Sequence, residues 1–296
     1  MANSIKLETP KAIVEVVPRL GGSVTAFDLK RGSDRVPIFR PWSGAWENPR
    51  ALASSPMVPW FNRISGGGFS FNGRFHPIAP NDPLEPVPLH GDGWLSPWEV
   101  VDRAPARIVL SLRSKAIPPF DYRATQVIVL NGADLEMELA VEHCGEDPVP
   151  YGLGQHPWFV RTPGVTLQAS ASGVWLEQPP HFPASPVPAA VPEKWDFRAP
   201  RSLPDDFIDN GFAGWDGRAR IAWADRGVAV DIEADPATRY YHIYSLDAEC
   251  PFFCFEPVTH ENNAFGKPGG PEANDLRVLD KGQTTSMRAS YRAGGL

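Results

Sequence analysis

Residues 134–143 read Asp134-Leu135-Glu136-Met137-Glu138-Leu139-Ala140-Val141-Glu142-His143. Leu135, Met137, Leu139 and Val141 alternate with Glu136, Glu138, Ala140 and Glu142. A pleated strand sends successive side chains to opposite faces with this period of two, so one face is predicted to meet a core and the other water. Just upstream, 122–130 is a second run rich in β-formers, separated from the first by Asn131-Gly132. That dipeptide suits a tight hairpin because both residues tolerate positive φ, and an antiparallel pair is predicted.

The same logic applies at 69–71 and 74–78, on either side of Asn72-Gly73. Further strands are predicted at 12–17, 23–29, 107–113, 228–233, 240–246, 252–256 and 285–291. The 33 prolines and 26 glycines in 296 residues interrupt the chain too often for long helices. Strands do not alternate with helical patterns, so an all-β antiparallel sandwich or barrel is expected rather than a parallel βαβ sheet. The proline-rich segment 178–204 is predicted to be a long surface loop. Strand-like runs and candidate polar residues continue on both sides of it, so 1–296 is expected to form one domain, and a 42% hydrophobic content suffices for a large core.

The net charge of -7 and the absence of a Lys/Arg cluster argue against a nucleic-acid partner, which would need a basic face. Neither a signal-peptide core nor a membrane-length apolar run is apparent, so a cytoplasmic protein without membrane association is expected. Cys144, Cys250 and Cys254 are an odd number of cysteines and suggest no disulfide framework. Cys250 and Cys254 lack a partner pair with zinc-ligand spacing, so buried thiols are the expectation. Gly66-Gly67-Gly68 lacks the Lys and Ser/Thr of a phosphate loop.

Three polar residues stand in contexts that local structure does not explain. Glu256 lies in Phe252-Phe253-Cys254-Phe255-Glu256-Pro257-Val258, a run apolar on both pleat faces. Burial there would raise its pKa toward that of a working general base. His156 lies in Tyr151-Gly152-Leu153-Gly154-Gln155-His156-Pro157-Trp158-Phe159, where the proline holds the histidine backbone extended. Nearby glycines let a ligand approach and aromatics offer flat faces for sugar C–H groups. His90 sits in the compact loop Pro88-Leu89-His90-Gly91-Asp92-Gly93-Trp94.

An ordered series of motifs then resembles the aldose 1-epimerases, or galactose mutarotase-like proteins. The series is Asn62-Arg63-Ile64; Leu89-His90-Gly91; Gly154-Gln155-His156-Pro157-Trp158-Phe159; Ile208-Asp209-Asn210-Gly211-Phe212; and Phe255-Glu256-Pro257-Val258-Thr259-His260-Glu261-Asn262-Asn263-Ala264-Phe265. The resemblance spans nearly the whole chain. It implies a large antiparallel β-supersandwich with the site in a groove on one sheet. It further implies Glu256 as general base, His156 as general acid, and His90, Arg63 and Asp209 as ligands of the sugar's oxygens.

Mutarotation of a free aldose needs one base, one acid, and neither metal nor redox cofactor. A histidine protonated at rest is the expected acid, Trp94 and Trp158 are candidates for stacking on the sugar, and a monomer or homodimer is expected. Two rival readings remain: a metal-dependent β-barrel enzyme using His90, His156 and Glu256 as ligands, and a non-catalytic carbohydrate-binding protein of the same fold.

Overall fold

A computed structural model describes residues 4–44, 49–178 and 181–296. The predicted hairpin forms from Tyr122–Asn131 and Asp134–His143, but its turn is one residue later than expected. Asn131 pairs with Asp134, so the connection is Gly132-Ala133, and Gly132 alone supplies the positive φ, at 62°. The Gly68–Phe71 and Arg74–Pro77 pair turns through Asn72 and Gly73, both with positive φ (49° and 73°), as the dipeptide predicts.

The hairpin is central to an eight-stranded antiparallel sheet. Its order is Val165–Ala169, Arg218–Trp223, Val228–Ala234, Thr284–Gly295, Asp134–His143, Tyr122–Asn131, Arg107–Ser114 and Glu99–Ala104. A seven-stranded sheet faces it, in the order Gly173–Trp175, Ile208–Ala213, Tyr240–Ser245, Phe252–Val258, Gly154–Gln155 and Pro56–Met57, with Trp158–Val160 also paired to Phe252–Val258. A four-stranded sheet (Ile5–Glu8, Ala12–Val17, Ser23–Arg31, Asp34–Pro37) completes the sandwich. Every pairing between these strands is antiparallel, and the helices are 3-10 turns of three residues. Among the described residues no helix is long and apolar enough to cross a membrane.

The core lies between the two large sheets. Leu135, Met137, Leu139 and Val141 from one share a hydrophobic cluster with Phe253, Phe255, Tyr241 and Phe212 from the other. Tyr291, on the eight-stranded sheet, meets Phe159 of the seven-stranded one at 6.3 Å between ring centroids. Gln155 also ties the sheets together: its amide donates to Met137 O (2.8 Å) and its carbonyl oxygen accepts from Tyr291 Oη (3.0 Å). Because neighbouring residues on a strand face oppositely, anchoring Gln155 inward turns His156 outward.

Several strands escaped the sequence reading. Glu99–Ala104 is an exposed edge strand with no buried alternation to reveal it. Ile208–Ala213 is buried throughout, yet its Asp209-Asn210-Gly211 reads as a turn. The segment 178–204 is not a simple surface loop: Trp195, Phe197 and Leu203 insert into the core, while Pro179 and Pro180 lie outside the described residues. Of the three thiols only Cys254 is buried; Cys144 and Cys250 are half-exposed because each sits at a strand end.

Candidate active site

Phe252–Val258 sends Phe253 and Phe255 into the core, so Cys254 and Glu256 share its outer face. Tyr240–Ser245 sets His242 opposite Glu256 and Tyr244 opposite Cys254. Ile208–Ala213 then sets Gly211 opposite His242 and Asp209 opposite Tyr244. On the other flank Gly154 pairs with Val258 and Trp158 with Cys254, which puts His156, in the gap between them, opposite Glu256. The result is two cross-strand rows: Trp158, Cys254, Tyr244, Asp209; and His156, Glu256, His242, Gly211. Loops carrying Ser55, Arg63, Glu85 and His90 rise over this face and leave a cavity of 220 Å³ that all five predicted site residues line.

Glu256 is 2% exposed. Burial, and then the charge of Asp209, push its pKa well above the ordinary carboxylate value. Its Oε1 lies 3.5 Å from His156 Nε2, and its Oε2 has no protein partner. The His156 side chain keeps 19% exposure, making it the outer member of the pair. Its ring stacks on Trp158 (5.6 Å, 19° between planes), and the Arg40 guanidinium lies 4.2 Å above the other ring of that stack. Burial first, then the Arg40 charge, lower the His156 pKa to about 3. Burial thus favours the uncharged form of each group, which runs against the expectation of a charged histidine. Glu256 is wholly withdrawn from water and His156 largely so, and a group withdrawn from water is cheaper to hold uncharged.

Arg63 and Asp209 form the opposite wall. Arg63 grips Glu85 with two bonds (Nε to Oε2, 3.0 Å; Nη2 to Oε1, 3.1 Å) and reaches Asp209 Oδ2 at 3.3 Å. Although burial opposes it, the Glu85 and Asp209 carboxylates keep the guanidinium firmly charged. Asp209 Oδ1 is 2.7 Å from His242 Nε2. The amide of Asn262 donates to His242 Nδ1 (3.2 Å) and to Glu177 Oε1 (3.1 Å). An acceptor at Nδ1 assigns the proton to Nε2, so His242 donates to Asp209. Burial would raise Asp209, but the His242 bond and the Arg63 charge hold it below its usual value. Gly211 makes room for this arrangement, since a Cβ there would lie 2.3 Å from Asn262 Oδ1.

His90 is held differently. Its φ of 55° lies in the left-handed region, uncommon outside glycine. The strain is held by two bonds: its N–H donates to Asn62 O (3.0 Å), and its Nδ1 accepts from Asn62 N–H (2.9 Å). Protonating Nδ1 would break the second bond, and burial itself depresses the pKa well below the ordinary histidine value. A neutral ring with its proton on Nε2 follows, a hydrogen-bond donor rather than a cationic acid. The Phe255–Phe265 motif secures the loop: His260 Nε2 accepts from Phe61 N–H (3.1 Å) and Asn263 Oδ1 from Ser65 N–H (3.0 Å).

The rival metal centre of His90, His156 and Glu256 is not assembled. Among the described residues it is Cys254, not His90, whose ligand atom lies within 4.8 Å of those of His156 and Glu256, and His90 Nδ1 is taken by Asn62 N–H. Trp94 and Trp158 do line the cavity, but Trp94 Nε1 bonds the Leu89 and Gly91 carbonyls and Trp158 stacks on His156. Both support site histidines. Sequence reasoning missed His242, although a histidine in the apolar Tyr240–Ser245 strand carries the same signal as Glu256. Glu85 had no signal, since only the fold brings it to Arg63.

The family model described as aldose 1-epimerase matches residues 3–292. The uncharacterized protein YphB of Escherichia coli K12 is 34% identical over 266 residues, 88% of this chain and 89% of that one. A crystal structure from Escherichia coli K12, provisionally named an aldose 1-epimerase, superposes with a TM-score of 0.92 at 31% identity over 99% of each chain. The aldose epimerase homologue from C. elegans superposes at 0.84 with 16% identity over 100% of each chain, a likeness of fold alone. With the supersandwich, the groove and its ordered motifs in place, the chain belongs to the aldose 1-epimerase family.

Proposed function

We propose that the protein interconverts the α and β anomers of a free, uncharged monosaccharide by opening and reclosing its ring. The contact between His156 and Glu256, 3.5 Å apart on the groove floor, carries this reading. The pair holds one mobile proton. As the sugar's hydroxyls fill the groove, that proton passes from Glu256 to His156. Glu256 then takes the proton of the anomeric hydroxyl while His156 gives its own to the ring oxygen, and the C1 to ring-oxygen bond breaks. Rotation about C1–C2 turns the other aldehyde face inward, and the same transfers in reverse close the other anomer. No proton is gained or lost per turnover, and each transfer is worth roughly 10²–10⁴ in rate.

His90 Nε2–H, Arg63 and Asp209 serve as hydroxyl partners in this reading. A neutral sugar is favoured because the groove's cations are already met: Arg50 by Asp82 (2.7 Å), and Arg63 by Glu85 and Asp209. A phosphate or sulfonate would find no net positive charge. NMR exchange spectroscopy on a panel of single-anomer aldoses tests the proposal. Acceleration that disappears in Glu256→Gln supports it, whereas binding without acceleration favours the carbohydrate-binding reading.

A further inference from the structure

A ring nitrogen of His156, Cys254 Sγ and a carboxylate oxygen of Glu256 lie within 4.8 Å of one another. Mutarotation as proposed above has no use for the thiol. Cys254 is fully buried and reaches this cluster only because it shares a pleat face with Glu256. Its cross-strand neighbours are Trp158 and Tyr244, whose rings meet edge to face (5.6 Å between centroids).

We propose that His156, Cys254 and Glu256 form an inhibitory site for a borderline-soft divalent cation such as Zn²⁺, which would lock the groove's acid and base together. The donor set is one imidazole, one thiolate and one carboxylate, the mixture that Zn²⁺ selects, with a fourth position facing the cavity for water. Geometry agrees where it can be compared. Zn–N and Zn–O bonds of roughly 2.1 Å at a tetrahedral angle put the two ligand atoms about 3.4 Å apart, and His156 Nε2 and Glu256 Oε1 are 3.5 Å apart. Independently, Glu256 is 2% exposed and its Oε2 is a buried polar atom with no protein partner, which a bound cation would satisfy. The thiol and carboxyl protons leave to solvent on binding. A second cluster, Glu177, His181 and Asp209, is a poorer site: Asp209 is already bonded to His242, and the Arg63 cation stands 3.3 Å away.

Binding rests on the ligand geometry alone; inhibition rests on the proposed function. Full-length protein titrated with CoCl₂ should show a thiolate-to-cobalt charge-transfer band that Cys254→Ala lacks. By calorimetry with ZnCl₂, Cys254→Ala and, separately, Glu256→Gln should bind at least tenfold more weakly than wild type. In anomerisation assays Cys254→Ala should keep the wild-type rate while its Zn²⁺ inhibition constant rises at least tenfold. Absence of the band, or equal Zn²⁺ affinity in wild type and both variants, overturns the site. A wild-type protein that gives the band yet accelerates no anomerisation keeps the site and refutes the proposed function.

Discussion

Glu138 and Glu256 each stand in the middle of a strand in a large antiparallel sheet, yet only one of them sits in chemistry. Glu138, on the outer face of the eight-stranded sheet, is opposite Arg288 on a surface strewn with charge. Glu256 is buried, because loops bearing Arg63, Glu85 and His90 cover the outer face of the seven-stranded sheet. The difference lies in what lies above the strand. A covered carboxylate must be neutralised, paired, or left reactive.

The largest test of that contrast is catalytic. Glu256→Gln and His156→Asn should each slow anomerisation by about 10²–10⁴, read by NMR or polarimetry, while Glu138→Gln leaves it unchanged. Near-wild-type rates in either groove variant would remove that residue's assigned role.

Charge pairs on the two faces should differ next. Arg63→Ala strands the buried Asp209 and half-buried Glu85 carboxylates and should cost about 3–5 kcal/mol in chemical denaturation. Arg123→Ala removes the exposed pair with Glu142 on the other sheet and should cost under about 1 kcal/mol. Similar costs would mean that the groove is wetter than its burial implies.

A pH series sharpens the comparison further. Folded Glu256 holds a proton that the unfolded chain releases near pH 4.5, so its contribution to stability falls as pH rises from there toward its raised folded pKa. Wild type should therefore lose ground to Glu256→Gln by up to about 1.4 kcal/mol per pH unit across that window. His156 works in the other direction: with its folded pKa at about 3, stability is lost as pH falls from 6.5 toward 3. A pH-independent difference between wild type and Glu256→Gln would show that the carboxyl is not buried neutral. Smallest of all, Glu138→Gln should shift stability within about 0.5 kcal/mol.

Legibility in the sequence followed the same divide. The Asp134–His143 strand was readable to the residue because one face is wet, and alternation records that directly. Glu256 stood out because a carboxylate in an apolar strand violates the pattern. His242 broke the same rule two residues into its own strand and was passed over, since no motif pointed to it. Ile208–Ala213 was hidden because its polar residues, which suit a turn, are there to build the groove.

By itself the sequence determined the all-β class, the central strands of both large sheets and the five residues that meet at the cavity. Period-two alternation and ordered motifs are local in the chain, so a single sequence displays them. Only the tertiary structure decided how burial biases the charges of His156 and Glu256, which nitrogens of His90 and His242 are bonded, and that Glu85 reaches Arg63. Those outcomes depend on burial and on partners distant in the chain, such as Arg63 and Asp209, 146 residues apart. Desolvation and hydrogen-bond pairing belong to the assembled groove, and no local pattern in the chain encodes them.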